Sequence, residues 1–92
     1  MVDGATGRAL TLVYFAWVRE HTGTAREEIV LPADVGTVSQ LVAWLRTRGP
    51  GYEHAFARSE VIRAAVNQHH VKGDASLDGA REVAFFPPVT GG

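Results

Sequence analysis

Cysteine is absent from the sequence, which removes a disulfide framework, a thiolate zinc site and a cysteine nucleophile from the chain's own chemistry. Any sulfur chemistry has to use another group. An excess of one charge is lacking too. Nine Lys and Arg stand against ten Asp and Glu, and a formal net charge of -1 gives no long-range attraction to nucleic acid or an anionic membrane. Neither is expected as a partner, whereas proteins and small molecules are. No run approaches the ~18 apolar residues of a membrane span, and the leading MVDGATGRA lacks the hydrophobic stretch of a secretion signal, so a cytoplasmic location is the expectation. The GxxxxGK phosphate loop is missing, so nucleotide binding is not expected of this chain. A metal site is not expected either, because the neighbours His69 and His70 would point to opposite faces of a strand with no Cys or nearby carboxylate to complete a ligand set.

What is present suits one small α+β domain. The 92 residues are 46% apolar and 21% charged, the balance of an ordinary globular protein with a single core. Residues 1–9, rich in Gly and Thr, read as a flexible arm. LTLVYFAW, Leu10 to Trp17, reads as a strand with Leu10, Leu12 and Tyr14 on one face and Thr11, Val13 and Phe15 on the other. A strand apolar on both sides is central, with a helix over one face and an unassigned cover on the other. VREHTGT gives a short helical turn ended by Gly23, and EEIVLP a second, antiparallel strand.

TVSQLVAWLRTRGPG carries the clearest helix signal. Thr37 can cap the first turn with Gln40 reaching back as in a capping box, and Val38, Leu41, Val42 and Leu45 form one apolar stripe. Arg46 and Arg48 suit the carboxyl end of the helix dipole, Gly49 a left-handed cap, and Pro50 the stop. YEHAF reads as a further short turn. VIRAAVNQHHV gives a strand, a turn at Asn67-Gln68 and a short strand near Val71. Leu77 plugs the core, Asp78-Gly79 turns the chain, and Glu82 to Phe86 forms the last strand, with Val83 and Phe85 on one face and Ala84 and Phe86 on the other.

That strand runs into an ordered ending, EVAFFPPVTGG. Pro87 and Pro88 remove two backbone donors and aim the chain outward in a stiff direction. Val89 and Thr90 favour extended backbone, and Gly91 and Gly92 present no side chain, so an enzyme can approach the terminal carboxylate closely. Adenylation would give that carboxylate a leaving group, and attack by a sulfur donor would leave a thiocarboxylate on Gly92.

EVAFFPPVTGG, FAWVRE and AAVNQHHV together resemble the small subunit of molybdopterin synthase, the MoaD-like sulfur carriers of the ThiS/MoaD superfamily, across Leu10 to Gly92. The resemblance implies a ubiquitin-like β-grasp domain over residues 10–87, with a protruding diglycine tail over 88–92. It also implies first and last strands side by side and parallel at the centre of a mixed sheet, which would make Phe15, Phe86, Val13 and Ala84 one exposed apolar docking patch.

Function follows as an expectation of the family. An E1-like adenylating enzyme, MoeB-like, activates Gly92 with ATP and magnesium, a sulfur donor enzyme converts it to the thiocarboxylate, and the tail enters the MoaE-like large subunit to build the dithiolene. This chain then binds no cofactor and donates sulfur without a catalytic site of its own, within a heterotetramer of two small and two large subunits. Partner contacts are expected at Phe15, Phe86, Val13, His70, Pro87, Pro88, Val89 and Thr90, with Gly91 and Gly92 as the reactive end. His70 departs from the larger apolar residue usual at the docking face, and Arg81 from an acidic residue before Glu82-Val83. Sulfur delivery to thiamine or tRNA, a ubiquitin-like protein modifier and a plain binding module are the alternatives.

Overall fold

A computed structural model of the chain describes residues 8–88. Among these, five strands form one sheet in the order β2-β1-β5-β3-β4. The strands are β1 (Arg8–Tyr14), β2 (Arg26–Leu31), β3 (Arg63–Val66), β4 (His69–Val71) and β5 (Glu82–Phe86). Helices α1 (Ala16–Thr22), α2 (Val38–Arg46) and α3 (Pro50–Ala55) lie between them, followed by a single 3₁₀ turn at Ser59–Val61. β1 and β5 pair in parallel, Thr11 opposite Glu82 through Tyr14 opposite Phe85, and every other pairing in the sheet is antiparallel. A two-layer α+β domain results, as the element order implies.

Alternation along the central strands builds the core. Leu10, Leu12, Tyr14, Val83 and Phe85 point inward and are buried, meeting Val18, Leu41, Leu45, Phe56 and Leu77. Tyr14 stacks on Phe85 with ring centres 6.3 Å apart, and Phe56 meets Phe85 edge-on at 5.0 Å, the offset and T-shaped arrangements that aromatic quadrupoles favour. α3 closes against α1 at Gly51, where any added Cβ would collide with the backbone carbonyl of His21. Glycine is what lets these helices touch.

Four boundaries differ from the sequence reading. β1 ends at Tyr14 rather than Trp17, because Phe15 keeps extended backbone (φ -122°) while Ala16 swings to φ 53° and starts α1 directly. The helical turn expected from Val18 therefore begins two residues earlier, and the apolar Trp17 that resembled strand packs against the core from a helix. β1 also begins at Arg8, inside the segment read as an arm, since Arg8 pairs opposite Leu31 and its guanidinium donates to the Leu77 carbonyl at 2.8 Å. β3 starts at Arg63, the preceding residues being taken up by the 3₁₀ turn.

The helix signals hold with adjustments. Thr37 Oγ1 accepts from the Gln40 amide at 3.2 Å, but the Gln40 side chain accepts from Gly36 N–H at 2.7 Å, one residue beyond the reciprocal box. α2 closes on Thr47 in right-handed conformation, so Gly49 serves instead as the residue before α3, with Pro50 at its first position, where a missing N–H costs nothing.

Candidate functional site

The side of the sheet away from the helices is built by the same alternation. Val13 lies opposite Ala84, Ala84 opposite Ala65, and Ala65 opposite His70, so these four form one row across β1, β5, β3 and β4. The next row begins at the end of β1. Phe15 N–H donates to the Phe85 carbonyl at 3.1 Å, which extends the parallel pairing by one residue and sets Phe15 beside Phe86. Because the chain turns at Ala16, the Phe15 ring does not follow the strand into a covered position. It is 50% exposed, one of two large apolar side chains so exposed among the described residues.

Phe86 and Val13 are half-buried, while Ala84, expected in the exposed patch, is buried at 7% and Ala65 at 6%, because a methyl is too short to reach past its larger neighbours; the exposure sits at the aromatic rim. His70 stands at its margin with its ring centre 5.1 Å from Phe86, tilted by 46°. The structure thus brings Phe15, Phe86, Val13 and His70 together on one face, and Pro87 and Pro88, both half-buried, follow directly on the end of β5. Val89, Thr90, Gly91 and Gly92 lie outside the described residues.

His69 pairs opposite Val66 and is exposed, and His21 and His54 are surface residues of α1 and α3 with rings 6.0 Å apart. No group of three His, Cys, Asp or Glu among the described residues is placed to hold a metal ion.

Three features of the site region escaped the sequence reading. Val30 of β2 is 63% exposed on this same side, and the alternation of EEIVL, with Ile29 and Leu31 inward, carries that signal. Arg63 and Lys72 flank Phe86 and His70 around a small cavity, a juxtaposition set by strand pairing that no local motif carries. The third lies on the opposite, helix-covered face of the sheet. Glu27 Oε2 accepts from Tyr14 and Tyr52 hydroxyls, each at 2.8 Å, while Arg48 reaches Oε1 at 3.1 Å and its guanidinium rests over the Tyr52 ring. Burial raises the Glu27 carboxyl's affinity for a proton, but the hydrogen bonds from Tyr52, Tyr14 and Arg48, with the charge of Arg48, outweigh it and hold the group below the usual carboxylate range. Burial and the same carboxylate push the Tyr14 hydroxyl well above a phenol's ordinary value. This network clamps β2 to the helices and does not face the exposed patch.

Arg81 contributes backbone to the turn before β5. Its N–H donates to Asn67 Oδ1 at 2.8 Å and its carbonyl accepts from Thr11 at 2.9 Å, so the reversed charge at this position leaves the ladder intact.

A parallel central strand pair flanked by antiparallel neighbours, helices on one side only and an aromatic patch on the other define a ubiquitin-like β-grasp protein. The ThiS family model matches residues 12–92. A molybdopterin synthase sulfur carrier subunit of Escherichia coli (strain K12) is 40% identical over 83 residues, covering 90% of this chain and 99% of that protein. Its counterpart of the same description in Haemophilus influenzae is 31% identical over the same coverage. A Pyrococcus furiosus structure, solved as a candidate molybdopterin converting factor subunit 1, superposes with a TM-score of 0.68 at 26% identity, covering 90% of this chain and 100% of that one. The chain belongs to the ThiS family, among its MoaD-like members.

Proposed function

We propose that the chain is the sulfur carrier subunit of a molybdopterin synthase. One observation carries the reading: the central strand β5 ends beside the exposed Phe15–Phe86 pair and passes into Pro87-Pro88, and the family match continues from there through Gly92. A large apolar group left half in water marks a surface that another protein covers. Proline stiffness beyond it would hold the glycines away from this chain's own fold and toward the protein that covers the patch.

In this reading a MoeB-like adenylating enzyme uses ATP and magnesium to convert the Gly92 carboxylate into an acyl-adenylate, releasing pyrophosphate. Sulfur delivered by a donor enzyme at the oxidation level of sulfide attacks the carbonyl, displaces AMP and leaves the thiocarboxylate. Seated in the MoaE-like large subunit, the thiocarboxylate sulfur bonds to the pterin precursor and water cleaves the resulting thioester, which leaves the sulfur on the pterin and restores the Gly92 carboxylate, with acids and bases supplied by the large subunit. This chain's part is to be recognised through Phe15, Val13, His70 and Phe86, and to present an unhindered carbonyl at Gly92 next to Gly91. The absence of cysteine fits a carrier whose sulfur is borne by its backbone end.

Reconstitution with a large synthase subunit tests it. Intact mass of the charged protein should show one oxygen-to-sulfur exchange at Gly92, and a chain lacking Gly92 should unfold at the same denaturant concentration yet form no dithiolene. Undiminished product from the shortened chain would refute the proposal.

A further inference from the structure

The exposed sheet face carries charge in an order that an apolar patch does not require. Phe86 lies opposite Arg63, and Arg63, His70 and Lys72 line one cavity of about 230 Å³ with Phe86 as its aromatic wall. All three basic side chains belong to exposed residues, and among the described residues none is ion-paired with a carboxylate. At the far end of the same face Glu28, Thr11 and Glu82 form a row by strand pairing. Between the two rows Arg26 lies opposite Val13. The face therefore carries cations unpaired among the described residues where the chain leaves β5, while at the remote end Glu28 and Glu82 share the surface with Arg81, which lines one cleft with Glu82.

We propose that Arg63, His70 and Lys72 form a basic collar at the root of the tail that recognises aspartate and glutamate side chains on the rim of the protein cleft receiving it. The inference deepens the sulfur-carrier reading and rests on it, since that reading supplies a partner into which the tail must pass. Two phenylalanines over an alanine floor give a partner area to bury but little to fix its rotation about the tail. A basic cluster confined to one side of the patch fixes that rotation and accelerates encounter with an acidic rim. Arg63 presents a planar fork suited to a carboxylate, Lys72 a point charge on a flexible stem, and His70 a ring N–H while its ring packs on Phe86. A protein carboxylate fits this set better than a nucleotide phosphate, because among the described residues no helix amino terminus or glycine-rich loop adds backbone donors at the collar.

The test measures affinity and association rate of the full chain with the purified large synthase subunit of its own organism, across a range of salt concentrations. The Arg63→Glu/Lys72→Glu double variant changes only exposed residues, and an unchanged unfolding midpoint verifies its fold. It should bind roughly tenfold to a hundredfold more weakly, mostly through a slower on-rate, and its affinity should fall less with added salt. Phe15→Asp serves as the control that removes docking itself. If the unsubstituted chain binds, Phe15→Asp does not, and the double variant keeps both affinity and salt dependence, the collar is overturned while the carrier reading stands. Weakened binding with an unaltered salt dependence overturns the collar equally, since the loss would not be electrostatic. If the unsubstituted chain fails to bind, the carrier reading falls and the collar with it.

Discussion

Strands β1 and β5 present two faces that share a backbone and little else. On the inner face Leu12, Tyr14, Val83 and Phe85 are closed to solvent and meet aromatic and aliphatic partners from the helices. On the outer face their immediate neighbours Val13, Phe15, Ala84 and Phe86 form a shallow patch with small residues in its floor and a half-exposed ring at its rim. The side-chain period of a strand is two, so a slip of one residue would exchange the sets. The alternation teaches that stability and, in the proposed sulfur-carrier reading, recognition are stored in interleaved positions: each inner residue locks the register that puts an outer one in place.

Adjacent phenylalanines offer the sharpest way to break this comparison. Phe85→Ala would empty the contact between Tyr14 and Phe56 and should destabilise the fold by about 3–5 kcal/mol, enough to unfold much of a domain this small. Phe86→Ala, one residue on, should change stability by less than about 1 kcal/mol yet weaken binding to the large subunit at least tenfold, as a truncated aromatic anchor does. Urea unfolding and titration calorimetry on the two variants decide the matter. Equal losses of stability would mean that the outer ring is part of the core.

Much of this division was legible in the chain because the strands advertise their faces locally. Leu10, Leu12 and Tyr14 against Thr11, Val13 and Phe15 is a pattern that any β geometry sorts the same way. The Thr37 cap and the stripe through Leu41 and Leu45 are equally local. What local pattern could not carry was the place where a strand stops. Phe15 and Trp17 favour strand, and the turn between them at Ala16 comes with helix α1 docking on α3 and the core, a tertiary preference that overrides their propensity. Asn67 is a second instance. Its turn is readable, but the Oδ1 that accepts from Arg81 and Glu82 N–H groups joins residues 14 and 15 positions apart. The pairing of Arg63 and Lys72 beside Phe86, and of Glu27 with Tyr14, Tyr52 and Arg48, likewise exists only after the sheet and helices close.

The Glu27 clamp sharpens the comparison from the inner side, where polar groups are tied rather than left free. Its carboxyl is held below the ordinary range when folded, so the unfolded chain binds the proton more readily. The stabilisation is accordingly full above the unfolded pKa of about 4.3 and is lost as pH falls through the lower folded value. Glu27→Gln should lower stability at neutral pH by about 1–2 kcal/mol, the scale of a hydrogen-bonded charge largely shielded from water. Chemical unfolding from pH 7 to pH 3 should show the difference between variant and parent shrinking in the acid limb. A constant difference across that range would assign the loss to packing instead.

The smallest effect concerns the corner that separates the two faces. Ala16 has φ 53°, in the left-handed region where a Cβ crowds the backbone by roughly 1–2 kcal/mol, and its side chain is exposed, so its methyl gains little in return. Glycine would remove that strain while adding roughly 0.5–1 kcal/mol of lost chain entropy on folding. Ala16→Gly should therefore raise stability by about 0.5 kcal/mol, read as a later urea midpoint with unchanged slope. Binding by the outer face should stay within about twofold of the parent, because Phe15 is held by its own N–H to the Phe85 carbonyl rather than by the corner's side chain. A gain in stability with a marked loss of binding would show that the strained alanine, and not the strand pairing alone, fixes the Phe15 ring where a partner meets it.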